Sequence, residues 1–471
     1  MQVAERLWRG LVVMAGALIM LWPAICNGYP LLYPDSISYL RDGGPLMRIL
    51  LLHSPKGYMA MRSEIYSVGI YSFHWNISAW PIVVMQAVVV AYVMWLVVRA
   101  LRATSMGVKR LAVQYLVLVG GLSLTTSLGW YVCFVMPDNL GPVLYLCIYL
   151  LVFVESLSFG ERFLVVVIAG WAAAAHSTHL MLAVGIFAML TLLWIVRWTP
   201  MKVRGRALAG VGGLLLVVAG GQIALHGYLY GKPSLYGNHM PYLTARVVAD
   251  GPGRWYLRAH CGELQWAICG KVNSLPDNDD EFLWSDGGVW SSASPAMQQR
   301  MLKEEIPLVI AAVRAYPVEQ MQRSYANFWQ EFTDFGLWDF QQNSWMQSQI
   351  NLVLRDTEST YQATREARST LPVVFFSGVL NWVVCISAVA IALALPLLWR
   401  RGRWQVLGLG VIVIPTVVAN AVLTAVLSES DSRYQSRLIW LVPMVAGILL
   451  IDLLNSRFRG VPATDGAGIG A

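Results

Sequence analysis

Trp80–Val98 reads WPIVVMQAVVVAYVMWLVV, nineteen residues without a single charge. A helix needs about 20 apolar residues to cross the hydrocarbon core of a bilayer, so this stretch reads as a membrane span and decides the fold class. Nine further apolar stretches follow the same pattern: Leu11–Cys26, Leu111–Leu128, Leu140–Val154, Phe163–Ala175, Leu180–Val196, Ala207–Leu225, Leu371–Leu398, Val406–Leu427 and Leu438–Leu453. The expectation is an all-α polytopic membrane protein with about ten transmembrane helices. Phe163–Ala175 is short for a crossing and suits a broken helix that stops at a water-filled cavity. The first stretch follows Arg6 and Arg9, as in a signal peptide. However, Trp22-Pro23 and then Asn27-Gly28-Tyr29 offer no small-x-small cleavage site, so it reads as a retained first helix.

Composition agrees. The 471 residues are 57% hydrophobic and 13% charged, against about 25% charged in soluble chains. So few charges cannot cover a water-facing surface of this size. A soluble enzyme, a disordered protein and a nucleic-acid binder are excluded, despite a pI near 9.1.

Topology accounts for the basic pI. Lys and Arg concentrate in cytoplasmic loops, and one set of loops and tails holds Arg6, Arg9, Arg99, Arg102, Lys109, Arg110, Arg162, Arg197, Lys202, Arg204, Arg206, Arg400, Arg401, Arg403, Arg457 and Arg459. These 16 bases face only Glu5, Glu155, Glu161, Asp452 and Asp465, which leaves +11 on that side and −4 on the other, within the formal +7. Both termini are therefore expected in the cytoplasm, and the chain is expected in a bacterial inner membrane.

Residues 1–225 form the expected N-terminal membrane region, 371–453 the C-terminal helices and 454–471 a cytoplasmic tail. Two segments on the external side are long. One is the first external loop, about Tyr29–Ala79. The other is 226–370, whose Gly and Pro punctuation, acidic run Asp277–Glu281 and alternating stretches suit a folded α or α+β module. Within it, Pro307–Asp334 reads as an amphipathic helix suited to the membrane surface. No internal repeat is visible, which counts against a transporter built from two related halves. Four cysteines, Cys26, Cys133, Cys147 and Cys385, lie in or beside spans. Cys261 and Cys269 lie together in the external HCGELQWAICG, where a disulfide is expected in an oxidising compartment. Free thiols, or a metal site with His260, are the alternatives.

The chemistry-bearing residues sit at the external ends of spans. The first loop opens with Tyr33-Pro34-Asp35-Ser36-Ile37-Ser38-Tyr39-Leu40, the second turn is Met136-Pro137-Asp138-Asn139, the third His176-Ser177-Thr178-His179, and the last Glu429 to Arg437, ESDSRYQSR. Ionisable groups at membrane depth are costly and usually functional. Asp35, with Asp138 behind it, could accept a proton from an attacking hydroxyl. Arg433 or Arg437 offers a planar fork that matches a phosphate. Tyr39, His176, His179 and Tyr434 complete the expected substrate-facing set. Each has a structural alternative. Asp35 and Asp138 follow Pro and could cap helices. The two histidines, three apart, could bind a metal or simply end a helix. The arginines could anchor the last helix. Most of the 20 Trp belong to an interfacial belt, with sugar stacking by Trp255, Trp266, Trp284 or Trp290 as the functional option. A base and a phosphate clamp beside a bilayer suit a lipid-linked phosphosugar.

In layout, LLYPDSISYL (31–40), MPDN (136–139), the His-bearing third loop and DSRYQSR (431–437) resemble the external motifs of the GT-C superfamily of integral-membrane glycosyltransferases. The resemblance covers roughly 1–225 and 371–453. In its protein mannosyltransferase and aminoarabinose transferase branches the first-loop acid is usually one of a pair, whereas here Ser36 follows Asp35. The resemblance implies a GT-C-like fold and an inverting transfer from a polyprenyl-phosphate sugar to a glycan, lipid or protein acceptor at the periplasmic face. It implies Asp35 as base and an external Arg on the phosphate. No cofactor is expected, with a divalent metal as the open option. Two other classes compete. One is an O-antigen-type polymerase or ligase using a polyprenyl-pyrophosphate glycan. The other is a transporter, for which Gln222 and Asn420 are the main polar groups within spans.

Overall fold

The computed structural model describes residues 2–53, 60, 62–101, 107–197, 203–237, 239–341, 343–355, 357–428 and 430–457. Arg102, Lys202, Glu429, Arg459 and Asp465, and the tail beyond 457, lie outside the described residues. Among the described residues the chain is helical without a strand. The N-terminal half runs α1 (Gln2–Met20), α2 (Trp22–Asn27), α3 (Pro34–Leu52), α4 (Glu64–His74), α5 (Trp80–Leu101), α6 (Val108–Thr125), α7 (Leu128–Val132), α8 (Leu140–Phe153), α9 (Phe159–Ala174), α10 (Ser177–Ile195) and α11 (Gly205–Tyr230). After these come α12 (Tyr242–Ala249), α13 (Pro252–His260), α14 (Asp279–Leu283), α15 (Pro295–Ala315), α16 (Pro317–Thr333), α17 (Ser344–Val353) and α18 (Glu358–Gln362). The last four are α19 (Val373–Arg400), α20 (Trp404–Leu427), α21 (Ser432–Ile439) and α22 (Leu441–Arg457).

Eight described segments are long and apolar enough to cross a membrane: Glu5–Asn27, α5, α6, α10, α11, α19, α20 and Ser432–Leu453. This corrects the expected ten. The other two are α8 and α9, of 14 and 16 residues. At 1.5 Å per residue they reach roughly 21 and 24 Å, short of a core about 30 Å thick. The apolar run of α8 has a further cause: its residues from Leu140 to Val152 are all buried in the bundle. A helix that is apolar all round and covered all round belongs to a core. Its N-terminal segment, Pro137–Asn139, is a buried 3₁₀ turn.

The segment between the first two spans folds into α3 and α4, which touch at Gly43. A Cβ there would meet the Ser67 carbonyl oxygen at 2.4 Å. The loop is tied to the second turn by backbone: Leu31 N–H donates to the Cys133 carbonyl at 2.9 Å, and Val135 N–H to that of Leu31 at 3.0 Å. This short parallel bridge brings the Asp35 and Asp138 segments together although about a hundred residues separate them.

The segment 226–370 has two packing partners. Ala245, Leu257, Ile268, Phe282, Met301 and Leu308 belong to a small core of their own. Phe335, Leu337, Phe340, Met346, Ile350 and Tyr361 join the core of the membrane bundle instead. Cys261 and Cys269, at the edge of the small core, are joined by a disulfide with Cα atoms 5.4 Å apart. Titration of the denatured, unreduced protein should find four reactive thiols, from Cys26, Cys133, Cys147 and Cys385. Six would refute the pairing.

Ion pairs segregate with the charge map. Arg99 grips Glu161 with both arms of its fork, at 2.5 and 2.9 Å. Arg204 pairs with Glu155 at 3.1 Å, and Arg403 pairs with Asp452. These partners come from segments far apart in the sequence, yet all belong to the group placed on one side by the sequence. Arg62–Asp35, Arg246–Asp250 and Arg437–Asp138 join members of the other group.

Candidate functional site

Asp35 does not cap a helix. The chain enters α3 through Tyr33 in extended backbone, with Pro34 at the first helical position, where its missing N–H costs nothing. Capping falls to Ser36, whose hydroxyl accepts from the Tyr33 N–H at 2.9 Å. Asp35 sits inside the first turn, where a carboxylate suits the helix dipole, and it pairs with Arg62. The Arg62 guanidinium lies 5.2 Å from the ring of Trp284, so the small 242–315 unit reaches the ion pair. Tyr39, one turn further along α3, is buried edge-on to Tyr66 at 4.9 Å. It lies within electrostatic reach of Asp35, Arg62, Asp138 and Arg433, and burial pushes its hydroxyl well above its ordinary pKa.

Asp138 does not cap either, since the 3₁₀ turn and α8 both start without a side-chain cap. Its carboxylate, 3% exposed, faces Arg437, 1% exposed, at 3.4 Å. Arg437 also donates Nη2 to the Thr178 hydroxyl and to Asn420 Oδ1, both at 3.3 Å. One guanidinium thus ties the second turn, the start of α10 and the body of α20 to α21. Asn420 is further engaged by the Tyr434 carbonyl at 2.8 Å and by Gln435 at 3.0 Å, and Gln222 donates to the Ala174 carbonyl. Both of these polar groups within spans are therefore engaged by the chain itself.

Arg433 is different. It is 6% exposed, stacked 4.3 Å from the centre of the Tyr33 ring and 5.0 Å from that of Tyr434. Its Nε and Nη1 are buried and make no hydrogen bond, and Asp431 is 3.8 Å away. An unpaired buried donor costs about 1–3 kcal/mol, more when charged. Such a group calls for an explanation, and a water, an ion or a ligand at the site is one. Arg437 Nε, both polar atoms of the Asn139 amide and His179 Nε2 are unpaired as well. All of them lie on segments that meet at the same end of the bundle.

His176 caps α10, its Nδ1 accepting from the Thr178 N–H at 3.3 Å and meeting the Thr178 hydroxyl at 2.7 Å. His179 Nδ1 donates to the Ala172 carbonyl at 3.0 Å. With the rings 5.2 Å apart and both Nδ1 atoms engaged, the pair is held by backbone. No group of three His, Cys, Asp or Glu side chains that could hold a metal ion occurs among the described residues.

Three groups went unread in the sequence. Arg62 is one. The others are acids from 331–340. Glu331 is buried, with Oε2 accepting the Asp431 N–H at 2.9 Å and Oε1 unpaired; burial pushes its pKa up to about 8. Asp339 has a buried, unpaired Oδ2, and burial together with nearby Asp431 pushes its pKa up to about 7. The readable signal was an acid enclosed by Phe335, Leu337, Trp338 and Phe340 outside any span.

Compared with known proteins, the chain matches no family model, no curated protein and no solved structure. The functional reading therefore rests on the site itself.

Proposed function

We propose that the chain is a GT-C-like membrane glycosyltransferase that moves a sugar, with inversion, from a polyprenyl-phosphate donor to a glycan, lipid or protein acceptor at the periplasmic face of a bacterial inner membrane. The observation that carries this reading is Arg433, a buried guanidinium with unpaired nitrogens at the end of the spans. It is stacked on Tyr33, two residues from Asp35. A fork held open in that way suits the phosphate of a lipid whose tail stays in the membrane. Arg437 is already engaged by Asp138, Thr178 and Asn420, which favours Arg433 as the clamp and gives Arg437 the task of holding its neighbours.

The chemistry follows. The acceptor oxygen attacks the anomeric carbon as the bond from that carbon to the phosphate oxygen breaks. Asp35 takes the acceptor proton; Arg62 orients it through Oδ1 and leaves Oδ2 for the acceptor. The charge that develops on the phosphate is met by Arg433, in the manner of a preorganised oxyanion site.

Mass spectrometry of the lipids that accumulate in a deletion strain tests the reading. A polyprenyl monophosphate bearing a single sugar is the expected species. A polyprenyl-pyrophosphate oligosaccharide would overturn it in favour of a polymerase or ligase. Sidedness is tested separately. In a background free of native cysteines, thiols introduced by Ser105→Cys and Ser234→Cys should label from opposite sides, Ser234 from outside. Labelling of both from outside would break the topology on which the periplasmic assignment rests.

A further inference from the structure

Resting on the reading above, we propose that Asp339 is the proton donor to the phosphate that leaves with the lipid, working beside Arg433. The segment carrying it is fixed against α21. Gly336 N–H donates to the Ser436 hydroxyl at 2.8 Å, and that hydroxyl returns a bond to the Gly336 carbonyl at 2.8 Å. Leu337 N–H donates to Ser377 at 2.9 Å, which ties the same segment to α19. Phe340, next to Asp339, inserts among Trp130, Tyr131 and Phe134 at centroid distances of 5.4, 5.7 and 4.9 Å. Tyr131 in turn donates to the Arg433 carbonyl at 3.2 Å. Asp339 is thus held rigidly within electrostatic reach of Arg433, with Oδ2 buried and without a partner.

The groups that face it are Asp431 and Arg433 from the start of α21, Asp138 from the second turn, and the Tyr33 and Tyr131 rings. Burial, with two acids against one guanidinium, pushes its pKa up to about 7, so at neutral pH part of the population of Asp339 keeps its proton. A phosphate monoester has a second pKa near about 6. The two are close enough for a proton to pass as the ester breaks. The balance is complete. The electron pair of the broken bond stays on the phosphate oxygen, and Asp339 gives that phosphate a proton. Asp35 receives the acceptor's proton, and water restores both carboxyls.

Binding of a polyprenyl monophosphate, the leaving product, to the full-length protein in nanodiscs tests this without knowledge of the sugar. Between pH 7 and 9 the ligand is already ionised, so its own titration adds little. Asp339 loses its proton over the same range and then repels the phosphate. Wild-type affinity should fall towards roughly tenfold per pH unit, the limit for one linked proton. Asp339→Asn should bind with no such fall. Glu331→Gln, at the other buried acid with a high pKa, should keep the fall. A flat wild-type profile, or an unchanged fall in Asp339→Asn, overturns the proposal and leaves the transferase reading standing. No binding at any pH would overturn both.

Discussion

Asp35→Asn should fold normally and cut sugar transfer by at least about 10²-fold, the lower end for loss of a general base. Asn has the size of Asp and its amide oxygen still accepts from Arg62, but it cannot take a proton. Little stability is at stake. The ion pair to Arg62 is part-exposed, with side chains 21% and 18% accessible, and such pairs contribute about 0–1 kcal/mol. No cap is lost, because Ser36 and Tyr33 close the start of α3 between them. Thermal unfolding should therefore be nearly unchanged while turnover collapses, measured with the lipid recovered from the deletion strain. Asp35→Ala should lose as much activity as Asp35→Asn. A wild-type rate in Asp35→Asn would remove Asp35 as the base.

That separation is possible because the structure resolved an ambiguity the sequence could not. A Pro-Asp pair at the start of a helix reads equally well as a cap and as a functional acid. The difference lay in Ser36, one position on, whose hydroxyl took the capping bond. The same logic freed Asp138, which a distant arginine holds instead of a local amide.

Other parts of the fold and site were legible to different degrees for physical reasons. Spans such as α5 announce themselves because lipid demands an unbroken apolar run of fixed length. α8 carries that signal for a second reason as well, since burial inside protein selects the same residues as burial in lipid, and its residues from Leu140 to Val152 are all covered by the bundle. Arg433 and Arg437 were visible as charges where a span begins, yet their sequence context is the same. What divides them is that Arg437 finds three acceptors in the folded chain and Arg433 leaves two nitrogens unpaired. Arg62 and Asp339 come from loops where charges are ordinary, and only packing draws them to the other groups. The segment around Asp339 reaches α21 through Ser436, about a hundred residues away, and no local pattern encodes that contact.

The contrast between the two arginines yields the sharpest expectation. Arg437→Ala should lower stability by about 3–5 kcal/mol, because it strands the buried carboxylate of Asp138 and releases the acceptors on α10 and α20. Arg433→Ala should do the reverse of what burial alone suggests. Its Nε and Nη1 make no hydrogen bond in the folded chain, so their desolvation is a cost to folding that the substitution removes. Its stacking on Tyr33, its ion pair with Asp431 and its Nη2 bond to the Tyr434 hydroxyl offset part of that gain. Stability should stay level or rise, while transfer falls by about 10²–10³-fold, as for loss of one donor to a developing oxyanion. Arg433→Lys keeps the charge but not the fork, so it should recover little of the activity. The two readouts are independent, thermal unfolding in detergent for one and donor turnover for the other. If Arg433→Ala proves as unstable as Arg437→Ala while transferring normally per folded molecule, Arg433 is an anchor for the last helix and the phosphate lies elsewhere. A protein that becomes no less stable yet inactive when a buried charge is removed was holding that charge for a ligand.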